Sequence, residues 1–233
     1  MTCEEKIQEL LKIYVKVTLL SDKNECKVLR IRHRELGKDM VLHILPPGNS
    51  VYESLCGIRC ENLPTVYEVF TLDDGVVVLE EYIDGLTVAE VLETGRYRKR
   101  GTTKVVKAVC AGLEVLHGNG IVHRDIKPEN IMVDKNGRVV IIDFNAARRI
   151  SAKSKDTVIM GTVGYASPEQ LGIAGSDART DIYAVGVLLN VMTTGKHPSE
   201  KIARGRIGRV VRKCTNVNPN DRYRSAEKLA NAL

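Results

Sequence analysis

The octet His123-Arg124-Asp125-Ile126-Lys127-Pro128-Glu129-Asn130 precedes an apolar run, Val139-Val140-Ile141-Ile142, that ends in Asp143-Phe144-Asn145. A short apolar run bounded by polar turns reads as a buried strand. The fold must therefore set two polar loops side by side at a strand end, inside a region that is otherwise helical. Two carboxylates, a lysine and a carboxamide then meet in one place. That set suits holding a metal-bound triphosphate and orienting a hydroxyl nucleophile, because phosphoryl transfer needs positioning and charge neutralisation more than covalent help.

The rest of the chain reads in two parts. Thr2-Cys3-Glu4-Glu5 has the form of a helix capping box, and Ile7, Leu10 and Leu11 follow as a short apolar stripe. Residues 13–20, 27–32 and 38–45 predict strands, the last stopped by Pro46-Pro47-Gly48. Residues 51–60 predict a short helix, and 66–72 with 76–82 a hairpin around Asp73-Asp74-Gly75. After Asp84-Gly85 the pattern turns helical. Residues 87–93 and 103–117 predict helices, the second with Val105, Val106, Val109, Leu113 and Leu116 on one broad face and Gly118 and Gly120 at its end. Residues 181–192 are apolar on nearly every side, the mark of a buried helix. Residues 225–233 predict a last amphipathic helix with Ser225 as its N-cap. The expected fold class is α+β, with a small antiparallel-sheet part over residues 1–83 and a larger helical part over 84–233.

A length of 233 residues with 43% apolar content allows a sizeable core. No apolar run approaches the length of a membrane span. The start, Met1-Thr2-Cys3-Glu4-Glu5-Lys6, lacks the apolar centre of a signal peptide, so a cytoplasmic location is expected. Cysteines at positions 3, 26, 56, 60, 110 and 214 have no metal-site spacing and are expected to be reduced thiols. The net charge is +6, with basic runs at Arg96-Tyr97-Arg98-Lys99-Arg100 and over residues 204–213. Without interleaved aromatics these read as solvated faces, and nucleic acid is not an expected partner.

The ordered motifs His-Arg-Asp-x-Lys-Pro-x-Asn at 123–130, Asp-Phe at 143–144, Gly161-Thr162-Val163-Gly164-Tyr165-Ala166-Ser167-Pro168-Glu169 and Asp181-x-Tyr-x-x-Gly186 resemble the eukaryotic-type protein kinases, most of all the bacterial serine/threonine branch. The resemblance spans nearly the whole chain. It implies a two-lobed protein-kinase-like fold, with an N-lobe over 1–83, a C-lobe over 84–233, ATP and Mg²⁺ as cofactors, and a protein serine or threonine as acceptor. By the same resemblance Asp125 accepts or orients the hydroxyl proton, Lys127 stabilises the moving phosphoryl group, and Asn130 and Asp143 hold Mg²⁺ through hard oxygen atoms. Val28 and Val41 would cover the adenine ring, Met132 would floor it, and the connector Glu81-Tyr82-Ile83 would supply backbone hydrogen bonds. Arg124 would meet a phosphorylated activation segment, with Thr157 the first candidate phosphosite and Thr162 the second; an ordinary exposed threonine is the alternative at 157. Glu169 would pair with Arg222, and Asp181 would bond backbone near the catalytic loop.

Three positions depart from the family pattern. Where the family carries a glycine-rich phosphate loop, this chain has Ser21, Lys23 and Cys26, which reads as a plain hairpin in which Lys23 is the one candidate phosphate contact. His43 stands in place of the third-strand lysine, a shorter and mostly neutral base at pH 7. Its expected carboxylate is Glu53, although an ungapped count puts Val51 there, and Lys27 and Lys38 are replacement cations. Asn145 follows Asp-Phe in place of glycine, where asparagine tolerates positive φ. The resulting expectation is a protein serine/threonine kinase, with a kinase-shaped binding module of weak or no turnover as the alternative. A small-molecule phosphotransferase is a third class that the Ser167-Pro168-Glu169 segment fits poorly.

Overall fold

Thr2 accepts the Glu5 amide at 3.2 Å while the Glu5 side chain accepts the Thr2 amide at 2.9 Å, and this capping box starts helix α1 (Cys3–Leu10). The computed structural model describes all residues except 24, 49–50, 96–98, 151–163 and 172–175, and gives the backbone alone at 99, 100 and 171. Thr157, Thr162 and the stretch Arg96-Tyr97-Arg98 lie outside the described residues. Two compact units result, one of residues 1–60 and 64–83, the other of residues 61–63 and 84–233.

The first unit is a five-stranded antiparallel sheet built from β1 (Tyr14–Lys23), β2 (Cys26–His33), β3 (Asp39–Leu45), β4 (Val66–Leu72) and β5 (Gly75–Glu81), in the order β1-β2-β3-β5-β4. Strand periodicity puts Leu29, Ile31, Met40, Leu42, Val77 and Leu79 on one face, and Cys3 and Leu10 of α1 close over them. The other face carries Val28, Val41, His43, Val78 and Glu80. Helix α2 (Val51–Leu55) is half the predicted 51–60 segment, because the chain enters the left-handed region at Gly57 (φ 89°). Gly75 begins β5 instead of closing the turn, since a β-carbon there would collide with the Leu45 carbonyl oxygen.

The β1–β2 hairpin pairs to its tip through Ser21↔Val28, Asp22↔Lys27 and Lys23↔Cys26. It is the plain hairpin its glycine-free sequence predicts, and Glu25 (φ 63°) makes the turn. Two register shifts, at Lys16/Thr18 and Leu19/Ser21, break the regularity of β1.

In the second unit β6 (Gly85–Thr87) leads into α3 (Val88–Glu93), whose N-cap Thr87 forms another capping box with Glu90. Helix α4 (Lys99–Gly118) buries the predicted face of Val105, Val106, Val109, Leu113 and Leu116. Strands β7 (Ile121–Val122), β8 (Ile131–Asp134), β9 (Val139–Ile141) and β10 (Arg148–Arg149) form two small sheets, β6-β8-β9 and β10-β7. Residues 61–63 extend the β9 edge: Asn62 O accepts the Ile141 amide at 3.0 Å, and Asn62 Nδ2 donates to Val139 O at 2.8 Å. Helices α5 (Ala178–Thr194), α6 (Gly205–Cys214) and α7 (Ala226–Asn231) complete the unit. Helix α5 is buried along almost its whole length, starts on the Asp177 side chain and ends at left-handed Gly195. Ser225 caps α7 by accepting the Lys228 amide. Among the described residues no helix is long and apolar enough to cross a membrane.

Two buried ionic anchors organise this unit. Arg222 donates to both Glu169 oxygens at 2.6 and 2.8 Å and to the carbonyls of Asn216, Arg179 and Val217, so the expected pair is bidentate and fully engaged. Burial alone would raise the Glu169 carboxyl, but the hydrogen bonds and charge of Arg222, with hydrogen bonds from the Glu169 backbone and Ser167, together outweigh it and hold the group below the ordinary range. Asp181 is in the same position: burial opposes its charge, and the hydrogen bond and charge of His117 hold the carboxyl low. In the first unit Arg32 and Arg30 hold Asp39 down to about 2.

Gly186 faces Cys214, and a β-carbon there would collide with the Cys214 Cβ. Gly186→Ala is expected to lower the unfolding free energy by about 1–3 kcal/mol through overpacking of α5 on α6, measured by urea titration. All three depressed carboxyls have folded-state values below their unfolded ones. Their contribution is complete above about pH 5 and is lost as pH falls toward about 2. The thermal midpoint should hold from neutral pH down to that point and then drop, and Glu169→Gln should make the drop shallower.

Candidate active site

The catalytic loop leaves β7 and returns through a 3₁₀ turn (Pro128–Asn130) into β8. Pro128 at its first position fixes φ where no amide donor is needed. Asp125, Lys127 and Asn130 meet directly. Lys127 Nζ donates to Asp125 Oδ2 at 2.7 Å, and Asn130 Nδ2 donates to the same oxygen at 2.9 Å and to Asp125 O at 2.9 Å. Both partners of Nδ2 are pure acceptors, so the amide orientation is determined.

Asp143 comes to the same loop through its neighbour. Ile142 N donates to Asn130 O at 2.9 Å, and Ile142 O accepts from His123 Nε2 at 3.3 Å. His123 Nδ1 takes the Asp125 amide at 3.4 Å, which places the ring proton on Nε2. Burial pushes the His123 imidazole below its ordinary value against the pull of Asp181, Asp143 and Asp125, and the ring sits edge-on to Phe144 at 5.3 Å. Asp143 itself takes φ 64°, and its Oδ1 accepts the Asn145 amide at 3.2 Å. The left-handed residue is therefore Asp143, and Asn145 does not draw on the tolerance of asparagine for positive φ.

Arg124, at φ 69°, is the second strained residue of the site. Its amide donates to Asp181 Oδ1 at 2.7 Å, and its carbonyl accepts from Gln170 Nε2 at 2.9 Å. Asp181 Oδ2 takes the His123 amide at 2.9 Å and His117 Nε2 at 2.8 Å. Downstream, His197 accepts the Ser199 amide on Nδ1 and so donates from Nε2 to Gly164 O at 2.8 Å. Gln170, His117 and His197 were not singled out in the sequence. Gln170 stood beside the motif ending at Glu169 and carries no charge to draw attention.

Three of the expected nucleotide residues, Val28, Val41 and His43, share one sheet face, while Glu81 pairs with Met40 on the other face and Ile83 lies beyond β5. Val28 lies directly opposite His43, and Val41 opposite Glu80. His43 does not pair with Glu53. Its Nε2 lies 3.4 Å from Glu80 Oε1 on the neighbouring strand, both side chains are at most 6% exposed, and Tyr52 of α2 covers the ring at 5.4 Å. Glu53 instead accepts from Thr71 Oγ1 at 2.5 Å. The two replacement cations are engaged elsewhere, Lys38 with the Tyr67 hydroxyl at 2.9 Å and Lys27 with Asp22 at 4.0 Å. The Glu81 amide donates to Thr65 O at 2.9 Å, and Ile83 is buried. Met132 is half-buried on β8 of the second unit.

Comparison with known proteins accords with this geometry. A family profile described as "Protein kinase domain" matches residues 50–232. Serine/threonine-protein kinase PknL of Mycobacterium tuberculosis is 41% identical over 121 residues, 51% of this chain and 30% of that protein. Serine/threonine-protein kinase PknB of Mycolicibacterium smegmatis is 36% identical over 126 residues, 52% of this chain and 20% of that protein. The matches thus span less than a third of these relatives' own lengths. With its α+β fold, its catalytic loop and this family match, the chain belongs to the protein kinase domain family, among the bacterial serine/threonine kinases.

Proposed function

We propose that the chain transfers the γ-phosphoryl group of ATP to protein serine or threonine hydroxyls. The observation that carries this reading is the Lys127–Asp125–Asn130 network on a loop held from behind by Asp181. The acceptor oxygen forms a bond to the γ-phosphorus while the bond from that phosphorus to the bridging oxygen breaks, ADP leaves with the electron pair, and the hydroxyl proton passes to Asp125. Lys127, a compact cation 2.7 Å from that base, would neutralise charge on the transferring group. Asn130 Oδ1 and the Asp143 carboxylate are the hard oxygens that would hold Mg²⁺, with the phosphates completing its shell. Held there, the ion would supply neutralisation of phosphate charge.

A second reading, a kinase-shaped binding module with little turnover, is favoured by the first unit. The hairpin is paired to its tip without glycine, and His43 is engaged by Glu80. The intact second-unit set outweighs this, because a module without turnover has no use for four correctly chosen catalytic side chains.

Transfer from Mg-ATP to casein and to the chain itself tests the choice. Asp125→Asn is expected to reduce transfer at least about a hundredfold, the size of a general-base contribution. A wild-type signal no greater than that variant's supports the binding module instead. His43→Lys is expected to tighten Mg-ATP binding several-fold, read by calorimetry, by setting a longer cation beside Glu80. An unchanged dissociation constant means that position 43 does not meet the phosphates.

A further inference from the structure

We propose, building on the protein kinase reading, that Gln170 is a positioning residue for Asp125: it fixes the peptide plane from which the catalytic base projects. Gln170 is 2% exposed, and both ends of its amide are engaged. Oε1 accepts from Ser167 N at 3.0 Å and Ser167 Oγ at 3.3 Å, and Nε2 donates to Arg124 O at 2.9 Å. A backbone amide can only donate and a carbonyl can only accept, so each end of the side chain has one permitted orientation.

The carbonyl that Gln170 holds belongs to the peptide joining Arg124 to Asp125. That unit is planar and rigid, so a bond to its oxygen sets the direction in which Asp125 leaves. Arg124 needs this restraint. Its left-handed φ of 69° persists only if the surroundings over-determine it. Asp181 holds the amide end of Arg124 at 2.7 Å, which controls φ, and Gln170 holds the carbonyl end, which controls ψ. Without the second tie the 124–125 peptide turns about ψ and carries the Asp125 carboxylate away from Lys127 and Asn130.

Gln170 is in turn held by its neighbours. It lies in the 3₁₀ turn Pro168–Leu171, and the adjacent Glu169 is clamped by Arg222. His197 ties the same segment at Gly164. The orientation of the base is thus coupled to the segment that ends at Glu169, through one neutral side chain and not through a charge.

The test separates this role from a general structural one by comparing two reactions of the whole chain: phosphoryl transfer to casein and hydrolysis of Mg-ATP by water. In each, the nucleophile's oxygen bonds to the γ-phosphorus, ADP departs with the electron pair, and the proton goes to Asp125. Gln170→Glu keeps the size and the acceptor for Ser167 but sets a carboxylate oxygen against Arg124 O. Gln170→Met keeps the length without polar atoms. Both should lower kcat for the two reactions together by about tenfold or more, as a displaced base requires, with KM for ATP within about twofold of wild type. Ser167→Ala, which removes the hydroxyl bond to Gln170 together with the hydroxyl's contact with the Glu169 carboxylate, should give a smaller fall of the same kind and carries the test should the Gln170 variants fail to fold. A raised KM for casein with unchanged ATP hydrolysis would overturn the proposal, since Gln170 would then shape only the acceptor side. Unchanged rates in all variants would do the same. A wild-type chain that performs neither reaction removes the kinase reading and this proposal with it.

Discussion

The Asp181 carboxylate is the point on which the second unit depends. It is fully buried, and a buried charge survives only when donors replace the water it has lost. Three donors do so: His117 at the end of α4, and the amides of His123 and Arg124. The carboxylate therefore joins the end of one core helix and the start of another to the backbone of the catalytic loop. Every further bond of the loop is made from a backbone that this contact has already placed.

The buried carboxylates of the two units, Asp181 and Glu80, are engaged differently. In the second, carboxylates are satisfied by fixed donors and leave the functional side chains oriented. In the first, His43 Nε2 meets Glu80 Oε1 across adjacent strands while His43 Nδ1 and Glu80 Oε2 stay buried without a hydrogen-bond partner among the described residues, and α2 contributes a ring, Tyr52, in place of a carboxylate. A pair inside a sheet is set by strand register and does not require a long helix, in keeping with the five residues of α2. The basic side chain of His43 is thus tied to the sheet itself.

Much of this was legible in the residues, and the exceptions have physical reasons. The capping box at Thr2, the broad face of α4, the buried α5 and the Ser225 cap are local patterns, so short-range rules found them. Asp125, Lys127 and Asn130 meet because they share one short loop. The partner of His43 was misassigned because cross-strand neighbours depend on register, and a carboxylate 37 residues away leaves no local trace. The tolerance of asparagine for positive φ at position 145 is not drawn on, and the left-handed residue is its neighbour but one, Asp143, which follows Ile142, bonded on both sides to the loop. Gln170 escaped notice because its contribution lies in bonds to backbone atoms 46 residues away.

The outermost strand of the first sheet has a consequence of its own. β1 ends the strand order and exposes Val17, Leu19 and Leu20, the composition of a strand that recruits strands from other molecules. Its two register shifts interrupt the even spacing of outward amide and carbonyl groups that such recruitment requires. Lys16 and Lys23 add charge near the two irregular points. The same irregularities that bend the hairpin therefore act as a guard against fibril-like stacking, letting an apolar edge stand open without becoming a template.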